Sequence, residues 1–204
     1  MEEFYTVREI TIRELIVEKS RFIGIAVPAT SPGQIAEAMA RIREDYPNAR
    51  HYVYAWRLFE GNIEKSSDDG EPQGTGGRPV LDQLQHHKVW NVLLVAVRYF
   101  GGVLLGTGGL SRAYGSIARL ALTEAELIKR TCYAVWRVES PYEWFEPLKY
   151  QLSLRDWRIQ ETEFLDVVRF MVLTPKKDED LFNKWFADFT GKRVFCVYAR
   201  DAWV

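Results

Sequence analysis

Two glycine-rich segments bracketing one continuous apolar run constrain this chain more than any other feature. The run is Trp90-Asn-Val-Leu-Leu-Val-Ala-Val97. It is too short for a buried helix and lacks alternation, so it reads as a strand covered on both faces. Upstream lies Ser66-Ser-Asp-Asp-Gly-Glu-Pro-Gln-Gly-Thr-Gly-Gly-Arg-Pro79, and downstream Arg98-Tyr-Phe-Gly-Gly-Val-Leu-Leu-Gly-Thr-Gly-Gly-Leu-Ser-Arg-Ala-Tyr114. Nine of the fourteen glycines (70, 74, 76, 77, 101, 102, 106, 108 and 109) fall in these two segments. That density marks backbone with positive φ, or backbone that something approaches closely.

Charge divides the two segments. Glu60, Glu64, Asp68, Asp69 and Glu71 face only Lys65, whereas Gln83 to Thr123 holds no Asp or Glu but carries Lys88, Arg98, Arg112 and Arg119. A glycine-rich loop flanked by arginines and opening a helix suits an anion, because free N–H groups and the helix dipole point the same way. The competing reading is a tight strand-to-helix connection whose arginines neutralise the acidic loop. On the first reading Arg98, Arg112 and Arg119 contact phosphates, and Gly101, Gly102, Gly106, Gly108 and Gly109 let a ligand approach the backbone.

Around this centre the elements follow from periodicity. Alternation predicts strands at 8–18 and 21–27. Ser31-Pro32-Gly33-Gln34 predicts a helix start with a capping serine, a first-turn proline and a capping box. An aromatic-rich strand covers 51–59, a short helix 79–86, and a helix about 110–128 with Leu110, Tyr114, Ile117 and Ala121 inward and Arg112 and Arg119 outward. Residues 131–204 then read βαββαβ, with a second capping box at Ser140-Pro-Tyr-Glu143. The fold class is therefore α+β in two domains, 1–130 and 131–204, the second ferredoxin-like.

Composition limits function. Sixteen basic against sixteen acidic residues in 1–130, and eleven against twelve in 131–204, leave neither domain with a global field toward nucleic acid. Met1-Glu2-Glu3-Phe4 has no apolar run, so no signal peptide is expected. No stretch reaches a membrane span. Cys132 and Cys196 read as buried thiols of a cytoplasmic protein.

No catalytic constellation assembles. Asp68, Asp69 and Glu71 could hold a hard cation, but Asp-Gly and Glu-Pro are ordinary turn chemistry, and no metal or other cofactor is expected. Ser111 lacks a Gly-x-Ser-x-Gly elbow. His86 and His87 are adjacent, so on a helix they diverge by about 100°. Gly106-Thr-Gly-Gly-Leu-Ser111 lacks the lysine of a Walker loop. It loosely resembles the phosphate loop of the galactokinase and homoserine kinase superfamily, whose acidic and lysine partners find no place here. Tyr52, Tyr54, Trp56, Tyr99 and Tyr114 could stack bases if exposed, although aromatic residues in strands belong more often to the core.

The ordered motifs Asp68-Asp69-Gly70-Glu71-Pro72, Gly74-Thr75-Gly76-Gly77-Arg78-Pro79, Asn91, Arg98-Tyr99-Phe100-Gly101-Gly102, Leu105-Gly106, Gly108-Gly109-Leu110 and Arg112-Ala113-Tyr114 closely resemble the YigZ/IMPACT family. Gly76 departs from the alanine frequent in relatives. The resemblance implies a first domain like the second domain of a small-subunit ribosomal protein, and a second like domain V of elongation factor G. It singles out Asp68, Asp69, Glu71, Thr75 and Arg78 as the motif loop. It implies a non-enzymatic regulator of translation that binds RNA, the ribosome or a ribosome-associated protein. The alternative is a nucleotide- or phosphate-ester-binding enzyme using the same loop, which leaves room for a small-molecule ligand. Eukaryotic relatives add an RWD domain that this sequence does not show, so a bacterial-type member is expected.

Overall fold

A computed structural model describes residues 3–204; Met1 and Glu2, part of the start read above as leaderless, lie outside the described residues. The chain forms two compact units, Phe4–Lys129 and Arg130–Val204, with Glu3 grouped with the latter.

The first unit contains β1 (Glu3–Val7), β2 (Thr11–Val17), β3 (Ser20–Pro28), α1 (Pro32–Asp45), β4 (His51–Leu58), β5 (Ile63–Ser67), α2 (Gly77–His86), β6 (Val92–Tyr99) and α3 (Gly106–Thr123). Its sheet runs β2-β3-β6-β4-β5. β6 is the apolar run, displaced two residues from the predicted limits. It lies antiparallel to both β3 and β4, and seven of its eight residues are buried. The sheet is covered on both faces. Ile23, Ile25, Leu93 and Val95 pack under α1 through Ile35 and Ile42. Phe22, Leu94 and Ala96 pack with Tyr114 and Ile117 of α3 and Leu84 of α2. Gly24 permits the tight seat of α3, because a Cβ there would stand 2.9 Å from the Ile117 carbonyl oxygen.

The start of α1 matches its sequence signal with one change. The Gln34 backbone N–H donates to Ser31 Oγ at 3.3 Å, but Gln34 Oε1 accepts from Thr30 N rather than from the cap residue itself. Two strands escape the periodicity reading. β1 enters through backbone bonds with Lys88 and Trp90, and β5, inside the segment read as an acidic loop, is set by pairing with β4. The predicted helix at 110–128 runs instead over 106–123, so its first turn is built from the glycine segment itself and residues from Leu127 onward turn into strand.

The second unit contains most of β7 (Leu127–Ser140), then α4 (Tyr142–Ser153), β8 (Arg158–Phe164), β9 (Val168–Pro175), α5 (Glu179–Thr190) and β10 (Phe195–Trp203). Its strand order β10-β7-β9-β8, antiparallel throughout, is the ferredoxin-like arrangement. Trp136, Phe145, Leu148, Phe170 and Phe182 fill the core, and Trp136 Nε1 donates to Thr174 Oγ1 at 3.0 Å. The predicted capping box at 140–143 does not form. Ser140 ends β7, Pro141 precedes α4 without a side-chain cap, and Ser140 Oγ donates to the Pro141 carbonyl. No disulfide joins Cys132 and Cys196.

Candidate functional site

The acidic motif loop is an anion held by its own glycines. Asp68 Oδ1 accepts from the backbone N–H groups of Gly76 at 2.9 Å and Gly77 at 2.8 Å, and Oδ2 from Gly74 at 2.8 Å. The first of these glycines lies just before α2 and the second begins it, so Asp68 supplies the negative charge that a helix N-terminus favours. Burial acts to raise the Asp68 pKa, but the N–H donors of Gly74, Gly77 and Gly76 together carry it below the ordinary aspartate value. Gly77 has a steric reason as well: a Cβ would stand 2.7 Å from the Ser67 backbone. Asp69, at φ +45°, accepts from Tyr52 N at 2.7 Å and pairs with Arg43 at 3.2 Å. Thr75 is buried and donates to the Pro72 carbonyl, while Arg78 pairs with Asp82 on the surface of α2. The carboxylate oxygens of Asp68 and Asp69 are thus spent on protein donors. Among the described residues no group of His, Cys, Asp and Glu is arranged to hold a metal ion.

Glu71 lies at the centre of a second network. Its Oε1 accepts from Arg98 Nη1 at 2.6 Å and from the Tyr114 hydroxyl at 2.7 Å. Burial, and then the bond to Glu71, pushes the Tyr114 pKa far above its ordinary value, so the hydroxyl remains a donor. His51 Nδ1 lies 2.8 Å from the Asp69 carbonyl, which obliges it to donate, and Nε2 lies 3.8 Å from Glu71 Oε1. Arg98, expected above to contact a phosphate, is thus part of a buried ion pair. Arg98 is 5% exposed and its charge answers Glu71. The neutralising-arginine alternative therefore describes Arg98. Its phase within β6 carries the signal, because Arg98 alternates with Val92, Leu94 and Ala96 on the face under α2 and α3.

The second glycine segment separates into parts with different physics. Gly101 admits the protein's own backbone, since a Cβ there would come within 2.0 Å of the Lys19 carbonyl carbon. Its N–H donates to Ser20 Oγ at 3.2 Å. Gly102, at φ +86°, and Gly106, at φ +66°, adopt left-handed backbone with open space where a Cβ would be. Gly106, Gly108 and Gly109 form the first turn of α3. Leu105 precedes it with no side-chain cap, and the turn contains no acidic residue. Arg112 folds back over this turn, with Nη1 3.4 Å from the Cβ position of Gly108. Arg112 and Arg119 are both exposed.

The α3 N-terminus opens on a cavity of about 460 Å³. Arg50, His51, Glu71, Arg98 and Thr107 supply its polar side chains, and Phe100 and Leu104 are among its apolar residues. Phe100 is 47% and Leu104 87% exposed. Sequence reading did not propose Arg50, His51 or Leu104 as site residues, and it named Phe100 only within the family motif Arg98–Gly102. Of the aromatics proposed to stack bases, Tyr52 and Tyr114 are buried.

The comparisons agree with this architecture. The Impact N-terminal domain model matches residues 18–122, and the model of a domain of unknown function, DUF1949, matches 138–192. The chain is 30% identical over 192 residues to the IMPACT family member YvyE of Bacillus subtilis, covering 94% of this chain and 88% of that one. It is 32% identical over 177 residues to the IMPACT family member YigZ of Escherichia coli, covering 85% and 87%. The crystal structure of a hypothetical protein superposes with a TM-score of 0.65 at 28% identity over 98% of both chains. The human protein IMPACT matches 94 residues at 31% identity, 43% of this chain and 29% of its own length. With its motif loop folded around Asp68 and Glu71 and both of its units matched, this chain belongs to the IMPACT family.

Proposed function

We propose that this protein is a non-enzymatic regulator of translation, working in the cytoplasm, that engages RNA of the ribosome or of a ribosome-associated complex through the first turn of α3. The observation that carries this reading is an uncapped helix N-terminus of glycines with no acidic residue in its first turn, overlaid by Arg112. Its free N–H groups and partial positive charge suit a phosphate. Exposed Arg50 and Arg119 extend the basic surface. Arg119 is two turns along α3 from Arg112, about 10 Å at 1.5 Å per residue, so the two can address separate phosphates. The acidic side chains nearest the site are engaged by Gly74, Gly76, Gly77, Arg43, Arg98 and Tyr114. That arrangement favours binding over chemistry, and family membership supplies the translational setting.

Co-sedimentation with ribosomes and subunits at two salt concentrations tests this. The comparison is wild type against Arg50→Ala/Arg112→Ala, both exposed positions whose loss leaves the fold intact. Binding should weaken with salt, with a log–log slope of about −2 to −3 for three phosphate contacts, and the double variant should lose most of it. Wild type remaining at the top of every gradient, or binding indifferent to salt, would overturn the reading. The cavity favours one second reading, a nucleotide- or phosphate-ester-processing enzyme. It requires turnover of a phosphate ester, which the binding module does not.

A further inference from the structure

The α3 N-terminus does not face open solvent alone, because the same cavity that receives it is lined by a buried arginine with donors to spare. Arg98 gives Nη1 to Glu71, reaches Ser20 Oγ only at 3.5 Å through Nη2, and leaves Nε with no partner. Buried polar groups in folded proteins are nearly always satisfied. Arg98 therefore brings an under-satisfied guanidinium to the wall of the cavity, although its Nε is itself buried.

The rest of the lining narrows the ligand. The Gly106–Thr107 turn and Arg50, both in the lining, favour a compact anion. Phe100, with the Arg98 guanidinium 5.6 Å from its ring centre, and Leu104 add partly exposed apolar surface to the lining. Glu71 offers carboxylate acceptors for hydroxyl or amino hydrogens, and His51, whose Nδ1 donates to the Asp69 carbonyl, presents its Nε2 beside it. Anion seat, flat apolar shelf and hydrogen-bond acceptors together match the three parts of a nucleotide. The volume of about 460 Å³ lies within the range of about 300–1,000 Å³ of small-molecule sites.

We propose that this cavity seats one phosphorylated nucleoside, free or as the end of an RNA strand, with its phosphate on the first turn of α3 and its ring against Phe100 and Leu104. The inference rests on the anion seat of the function proposed above and deepens it. An internal RNA phosphate needs only the rim, whereas a terminal nucleotide fills the cavity. Glu71 and Arg98 cancel in charge, so the net attraction comes from Arg50 and the helix end.

Isothermal titration with the four nucleoside 5′-monophosphates, inorganic phosphate, unphosphorylated nucleosides and a tetraribonucleotide with and without a 5′-phosphate tests it, in wild type, Phe100→Ala and Arg50→Ala. All three are expected to fold, since Phe100 and Arg50 are exposed. At least one monophosphate should bind with a Kd on the order of 100 µM, a value ordinary for a ligand of that size. The matching nucleoside and inorganic phosphate should each bind about tenfold or more weakly, a factor that each lost group commonly carries. Phe100→Ala should weaken the monophosphate while leaving phosphate unchanged, and Arg50→Ala should weaken both. Equal binding by monophosphate and 5′-phosphorylated RNA identifies the nucleotide as the recognised unit, and a clear preference for the RNA identifies strand ends. Absence of saturable binding by every ligand, or inorganic phosphate binding as tightly as the monophosphates, overturns the inference. The translational reading fails separately: ribosome co-sedimentation with no mononucleotide binding leaves that reading standing and removes this one, and the reverse pattern does the opposite.

Discussion

The Glu71–Arg98 pair should behave as a buried, coupled unit, and its energetics separate a structural arginine from a phosphate-seeking one. Arg98 is 5% exposed and Glu71 9%, with 2.6 Å between Nη1 and Oε1. At an effective dielectric of about 20, opposite charges about 4 Å apart attract by about 4 kcal/mol. Arg98→Met leaves the carboxylate with the Tyr114 hydroxyl as its remaining close donor, and Glu71→Leu leaves a buried guanidinium whose Nε is already unpartnered. Each single variant should lose about 3–5 kcal/mol. The double variant removes both charges and orphans mainly the Tyr114 hydroxyl, so it should lose only about 1–3 kcal/mol. The coupling energy should therefore be about 3 kcal/mol or more. Because the chain has two compact units, global melts need not be two-state. Amide hydrogen exchange in peptides covering Val92–Tyr99 reports the first unit directly. Exposed Arg112→Ala, the control, should shift it by less than about 0.5 kcal/mol. If the single variants cost under about 1 kcal/mol, or the double variant equals their sum, the pair is not the buried unit described and Arg98 is available at the surface after all.

Two further outcomes follow from the motif loops. Asp68 has a folded-state pKa held below its ordinary value, burial notwithstanding, by three backbone N–H donors. Its stabilisation is therefore complete above the unfolded pKa of about 3.9 and drains away as pH falls through the lower folded value. Asp68→Asn should cost about 1–2 kcal/mol at pH 7 and flatten the acid limb of the stability curve below about pH 4; an acid limb identical to wild type would refute this. Gly101→Ala forces a Cβ to within 2.0 Å of the Lys19 backbone, whereas Gly102→Ala meets no atom and bears only its φ of +86°. Amide hydrogen exchange in the first unit should show the first strongly destabilised and the second lowered by about 1–2 kcal/mol, and equal effects would contradict the close approach.

What the sequence disclosed depended on whether a residue's neighbours in the chain are also its neighbours in space. β6 was legible because burial on both faces leaves an unbroken apolar run, and α1 because Ser31, Pro32 and Gln34 act within one turn. β5, Ile63-Glu-Lys-Ser-Ser67, has no alternation of its own and exists because β4 offers it a partner edge. The glycine segments announced themselves, but not their reasons. Gly76 and Gly77 bind Asp68, Gly101 admits the turn at Lys19, and Gly106 opens α3. One chemical type thus answers three geometric demands that composition cannot separate. The arginines show the same division. Charge counting treats Arg98 and Arg112 alike, yet strand phase puts Arg98 beneath two helices and helix phase puts Arg112 in solvent. A charge in phase with a core face requires a buried counter-ion, and Tyr114, on the inward stripe of α3, requires an acceptor. Both requirements meet in Glu71, 27 and 43 positions away. The candidate cavity was illegible for a related reason. Arg50, Phe100 and Leu104 come together only once β4, β6 and α3 are in place, and what the acidic loop then leaves unneutralised is the helix end and Arg50 rather than the arginine that the charge pattern first picked out.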